Sequence, residues 1–178
     1  MTAIVDTTLE QVMTEIGDFI VAQLGLATGQ LVISYPNRVS NPPASPGWID
    51  MTVATRTRLN TNIDGWDMTI DDPTMTTQES HWQLGVQIDC YGPTAEQWVL
   101  ILETLFRDEM GCDALTFSQP LYADEGTRAP VENDSQQYEN RWVMTAYFQY
   151  DPVVSTAQDF ANTLEIEVVN VFERYPPT

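Results

Sequence analysis

Apolar residues recur at three- and four-residue steps from Leu9 through Val12, Met13, Ile16, Phe19 and Ile20 to Leu24, which is the spacing of one helix face. Glu10, Glu15 and Asp18 fall on the other face. Thr7 and Glu10 stand at capping-box spacing, so a helix of about 17 residues, roughly 25 Å long, is expected. Gly25 and Gly29 mark its exit. Leu31 to Tyr35 reads as a short strand stopped by Pro36, and the run from Asn41 through Pro42, Pro43 and Pro46 to Gly47 reads as a stiff loop. The period then changes to two. Ile49, Met51, Val53 and Leu59 oppose Asp50, Thr52, Arg56 and Arg58, and Trp82, Leu84, Val86, Ile88 and Cys90 oppose His81, Gln83, Gln87 and Asp89. Two strands of roughly 12 residues would each reach ~40 Å, the whole diameter of a compact domain of this size. The pair is therefore expected to project as a ribbon, with its hairpin tip at about residues 60–79.

The helix pattern returns after Pro93. Thr94 and Gln97 sit at cap spacing, Trp98, Val99, Leu102, Leu105 and Phe106 form an apolar face, and Gly111 suits the left-handed position past a helix end. A strand is expected over 115–122, then a flexible acidic loop over about 123–138. Trp142 to Tyr150 is apolar or aromatic on both faces, as in a central strand, and Leu164 to Val168 alternates. The order αβββαβββ predicts an α+β fold over residues 1–178 as a single domain: a mixed, largely antiparallel sheet flanked by two helices.

Charge narrows the function. The chain has 178 residues, with 26 acidic and 7 basic side chains for a net charge of −19. All the basic residues are Arg, and the lack of Lys excludes a Walker P-loop, a Schiff-base lysine and the lysine-dependent kinase and β-lactamase sites. The negative balance disfavours grip on phosphates or on anionic membrane surfaces. No apolar run has the length of a membrane span, and the N-terminal residues do not read as a signal peptide. Cys90 alternates in phase with the apolar side of its strand and Cys112 follows Gly111. The pair is no zinc signature, and in a chain suited to a reducing cytosol no disulfide is expected.

Few residues suggest chemistry. Asn60, Asn62, Asp64, Gly65 and Asp71 fall at positions 1, 3, 5, 6 and 12 of the calcium-loop template. Asn replaces Asp at the first position, Asp replaces the longer Glu at the last, and the flanks read as strands, so a polar hairpin tip is the simpler expectation. His81 adjoins Ser80, but neighbours on a strand point to opposite faces, and there is no nucleophile elbow. The adjacent acids Asp71/Asp72, Asp108/Glu109 and Asp124/Glu125 read as solvated surface. No catalytic residue, resident metal or cofactor is expected, and the chain is not read as an enzyme. Between Arg58 and Arg107 lie eight acids and no basic residue. Such a surface keeps a protein soluble, or lets it sit near DNA without adhering.

The ordered set of these stretches resembles the phage neck or tail-terminator proteins of long-tailed bacteriophages, over about residues 15–171. The resemblance is carried by the helix ending near Gly25, the strand and turn Val32-Ile33-Ser34-Tyr35-Pro36-Asn37 with its Pro42/Pro43 loop, and the strand Gln83 to Gly92 running into Pro93-Thr94-Ala95. Asn140-Arg141-Trp142 leading into Met144 to Phe148, and finally Leu164 to Val168, complete it. It implies a sheet flanked by two helices and a structural role in the virion neck, assembled in the host cytoplasm. Such proteins often form a six-fold ring that docks on the tail tube protein, stops its polymerisation, offers a surface to the head–tail connector or adaptor protein, and lets DNA pass without specific binding. The long acidic excursion over 60–79 departs from the family pattern.

That role selects candidate contacts. Sheet edges at 31–35 and 163–171 can pair with neighbouring copies, with Glu165 and Glu167 blunting the second edge against promiscuous pairing. Trp48 and Trp66 are the candidate interface anchors, with core packing the alternative for each. Asp64, Asp67, Asp71 and Asp72 are the acids that would repel DNA. The competing readings are another head-completion or baseplate component, an acidic DNA-mimic inhibitor, and a calcium- or carboxylate-dependent hydrolase that chelation would silence.

Overall fold

The computed structural model describes residues 3–33, 45–67, 75–132 and 138–157. Its first half runs β1 (Ile4–Val5), α1 (Leu9–Leu24), β2 (Leu31–Ile33), β3 (Trp48–Arg58), β4 (Ile63–Asp67), β5 (Met75–Glu79) and β6 (Trp82–Tyr91). The second half runs α2 (Ala95–Leu105), α3 (Glu109–Ala114), β7 (Gln119–Ala123), β8 (Thr127–Arg128), β9 (Val131–Glu132), β10 (Tyr138–Glu139), β11 (Arg141–Tyr150) and β12 (Val153–Ala157).

The period-two stretches form the principal sheet, in the order β2-β3-β6-β11-β7, with β8 also on β11. Only β2 and β3 pair in parallel; the other pairs are antiparallel. One side of this sheet carries Ile49, Met51, Leu84, Val86, Ile88, Met144, Ala146 and Phe148, all buried, and packs against the apolar faces of α1 and α2. Phe106 joins the layers: its ring lies 5.7 Å from Phe19 of α1 and meets Phe148 of β11 edge-on at 5.1 Å. Each such fully buried side chain stabilises the fold by roughly 1.5–3 kcal/mol. The architecture is the expected α+β one, with a largely antiparallel sheet.

The element order is richer than αβββαβββ. The first helix begins one residue later than its spacing suggested, because Thr8 and Gln11 form the capping box while the Thr7 N–H donates to Asp6. Gly25 closes it with φ 62°, a left-handed position that favours glycine. The second helix stops at Leu105, and a third, capped by Asp108, follows. Gly111 is therefore inside α3, not past a helix end. It is buried, and a Cβ there would meet the Leu105 carbonyl oxygen at 2.6 Å. The strand expected over 115–122 starts at Gln119, because the Phe117 N–H is already held by the Glu15 carboxylate at 3.0 Å. The acidic loop at 123–138 contains β8 and β9, and β10 begins at its end.

A second sheet, in the order β1-β12-β5-β4, continues the first. Tyr150 pairs with Trp82, and Val153 pairs with Glu79, three residues on in one strand and three back in the other. β11–β12 and β6–β5 thus keep one register across the step at Ser80-His81 and Asp151-Pro152. That is why the polar connection after Tyr150 contains a strand. None of the described side chains of β1, β4, β5 and β12 belongs to the buried core. The expected strand at 164–168 and the Pro42/Pro43 loop lie outside the described residues. Among the described residues, no helix is long and apolar enough to cross a membrane.

Candidate functional site

Long hairpin strands need inward-facing apolar residues to be held by a core, and here that alternation fades toward the tip. β3 begins buried at Trp48, Ile49 and Met51 and is exposed from Ala54 onward. Beyond it, β4 pairs only with β5 among the described residues and is an end strand of the second sheet there. Ile63, Glu79 and Val153 share one face of this sheet by register, and Gly65, Thr77, Ser155 and Ile4 continue it. Ile4, Val5, Leu59 and Ile63 are all exposed large apolar side chains near it. Asp64 is exposed opposite Gln78, and Trp66 and Asp67 stand in register with Thr76 and Met75. Asp71 and Asp72 lie outside the described residues.

The base of the ribbon is a polar joint. Asn60 Oδ1 accepts from the His81 backbone N–H at 2.8 Å, and the Leu59 N–H donates to His81 O at 2.9 Å. Arg58 donates through Nε to Asn60 O and through Nη2 to Asn62 Oδ1. The amide oxygens that matched the calcium template are thus engaged in holding a turn between strands, and no helix–loop–helix surrounds them. Arg56 and Arg58 lie over the Trp82 ring at 4.1 and 5.5 Å, so the two cations nearest the acidic tip are seated on an aromatic face. Ser80 Oγ accepts from Trp82 Nε1 at 2.9 Å. His81 Nδ1 faces Asp151 Oδ1 at 2.7 Å and Glu79 Oε1 at 3.9 Å. Sequence spacing gave no sign of this grouping, because Asp151 reaches it only through the β11–β6 register.

On the sheet side away from the helices, Trp48 is 5% exposed and stacks on Tyr91 at 4.1 Å between ring centroids. Its indole therefore packs within the fold. Beside it, Arg141 Nη2 pairs with Asp89 Oδ2 at 3.0 Å, and Gln87 Nε2 donates to the same oxygen at 2.9 Å. Burial raises the Tyr91 phenol above its ordinary range; Arg141 opposes this, and the charges of Asp89, Asp50 and Glu139 add to it. Burial, assisted by Asp89, also pushes the Cys90 thiol well up, which makes it inert at neutral pH. Both cysteines are free thiols. Among the described residues β2 is an end strand of the principal sheet; of the candidate edge at 31–35 only 31–33 are described. The other candidate edge, with Glu165 and Glu167, lies outside the described residues.

The described residues of the ribbon thus combine the end strand β4, exposed apolar side chains at Ile4, Val5, Leu59 and Ile63, and an exposed Asp64. Residues 10–173 match the family described as phage neck terminator protein. No curated protein matches the chain.

Proposed function

The chain belongs to the phage neck terminator family, and from that premise we propose that its copies join into a ring which caps the tail tube. The ring ends tube growth, joins the tail to the head-side connector and leaves a passage for DNA. The observation that supports this reading is the four-stranded sheet β1-β12-β5-β4, none of whose described side chains belongs to the buried core. A sheet that adds little to a hydrophobic core is marginal by itself, so contact with another chain would add to its stability. Its β4 edge offers backbone hydrogen bonds for strand addition. A tube grows because each ring repeats the same head-to-tail contact, and a cap must match one face without repeating it. Subunit number six follows the family resemblance.

Electron microscopy of the purified chain, alone and mixed with tail tubes, tests the proposal. Wild-type protein should form rings that sit at one end of the tubes and limit their length. A variant in which a short turn replaces residues 62–79 should keep the circular dichroism of the principal sheet and helices but leave tubes uncapped. Normal capping by that variant would remove the ribbon from the mechanism. Wild-type protein that neither forms rings nor binds tubes would defeat the whole reading.

A further inference from the structure

We propose that Glu79, His81 and Asp151 form a site for one divalent transition-metal ion of the zinc class, which ties the two strand crossings at the base of the ribbon. One ligand atom from each residue lies within 4.8 Å of the others. An imidazole nitrogen with two carboxylate oxygens suits zinc, which takes such donors at about 2.0–2.2 Å in tetrahedral sites and leaves a fourth position for water. Calcium and magnesium are the poorer fit, since they prefer larger, all-oxygen shells. Donors on one tetrahedral zinc stand roughly 3.3–3.5 Å apart by that geometry. The 2.7 Å and 3.9 Å separations from His81 Nδ1 bracket this spacing, and all three donor atoms lie within 4.8 Å of one another, so binding would require the side chains to adjust.

The surroundings hold the donors in place. Asn60 Oδ1 and the Leu59 N–H fix the His81 backbone on both sides. The Ser80 N–H donates to Pro152 O at 3.3 Å, tying the strand of His81 to that of Asp151. Gln149 Nε2 donates to both Asp151 carboxylate oxygens at 3.2 Å, the kind of outer contact that orients a metal-binding carboxylate. His81 Nδ1 is shielded from solvent and has no well-aligned hydrogen bond, although Asp151 stands beside it. That nitrogen thus faces two carboxylates, Asp151 at 2.7 Å and Glu79 at 3.9 Å. Glu79 and His81 lie at the β5–β6 step, and Asp151 at the β11–β12 step. A bound ion would bridge both and fix the ribbon against the principal sheet.

His81 is the only histidine, so its ring gives a single imidazole signal in nitrogen-detected NMR of the full chain. Zinc chloride added at neutral pH should shift that signal saturably at one equivalent, while magnesium or calcium leaves it in place. Glu79→Gln and Asp151→Asn should each weaken the zinc response by roughly tenfold or more. A response that neither substitution weakens would reduce His81 to a lone surface imidazole and overturn the site. If a variant loses its folded amide spectrum, wild-type protein with cobalt(II) decides the matter. Intense tetrahedral visible bands support the site, and a spectrum of the aquo ion alone refutes it. The readouts need no tube or ring, so they stand apart from the capping proposal.

Discussion

Asp89 is 4% exposed and carries its charge on a sheet face where water has little access. It is tolerated because Arg141 and Gln87 both donate to it. Breaking such a pair from one side leaves a buried charge uncompensated, which costs more than the intact pair contributes. Arg141→Met is expected to destabilise the fold by about 3 kcal/mol, seen as a lower urea midpoint with an unchanged slope. Adding Asp89→Asn should recover part of that loss, because the stranded carboxylate is then gone. Trp48 teaches a related lesson. A tryptophan next to a proline-rich loop has the sequence profile of an interface anchor, yet its ring stacks on Tyr91. The cross-strand pairing of Trp48 with Tyr91 decides this, and pairing depends on register.

The elements follow their periodicity in the interior and depart from it at their ends. The helix faces of α1 and α2 and the alternation of β3 as far as Met51 match the burial seen, whereas Asp89 on the polar side of β6 is buried and β11, apolar on both faces in sequence, buries alternate residues. Their limits are set by groups that local spacing does not show. Glu15 caps the chain at Phe117 from a distant helix, and the turn between α2 and α3 places the Leu105 carbonyl where a side chain at position 111 would go. Gly111→Ala should therefore cost about 1–3 kcal/mol, as overpacking does. It should lower the thermal midpoint even though alanine is the better helix former. A midpoint that rises would mean the α2–α3 turn yields freely. The strands of the second sheet carry no clear alternation in sequence, which reads 60–79 as a polar hairpin tip; their described side chains are half-buried or exposed.

For the molecule as a whole, the charge of −19 matters through its placement. Asp64 is exposed on the ribbon, and Asp67, Asp71 and Asp72 follow it in sequence. Replacing all four by Asn should make assembled particles retain DNA in a salt-sensitive way, because phosphates are no longer repelled and the residual Arg side chains can displace counterions. Gel-shift and ejection measurements at low and high salt would show it. Behaviour identical to wild type would assign the acids to solubility alone.

The sequence by itself determined the α+β class, the two amphipathic helices, the principal strands and the absence of lysine chemistry. These depend on local period and composition, which each segment carries in its own residues. The ordered segments also carry the resemblance to the neck-terminator family, to which residues 10–173 belong. Only the tertiary structure decided that the ribbon widens into a second sheet, that Trp48 packs inward, and that His81 meets Glu79 and Asp151. Those outcomes depend on strand register, which brings together residues far apart along the chain and is fixed by the packing of the whole sheet.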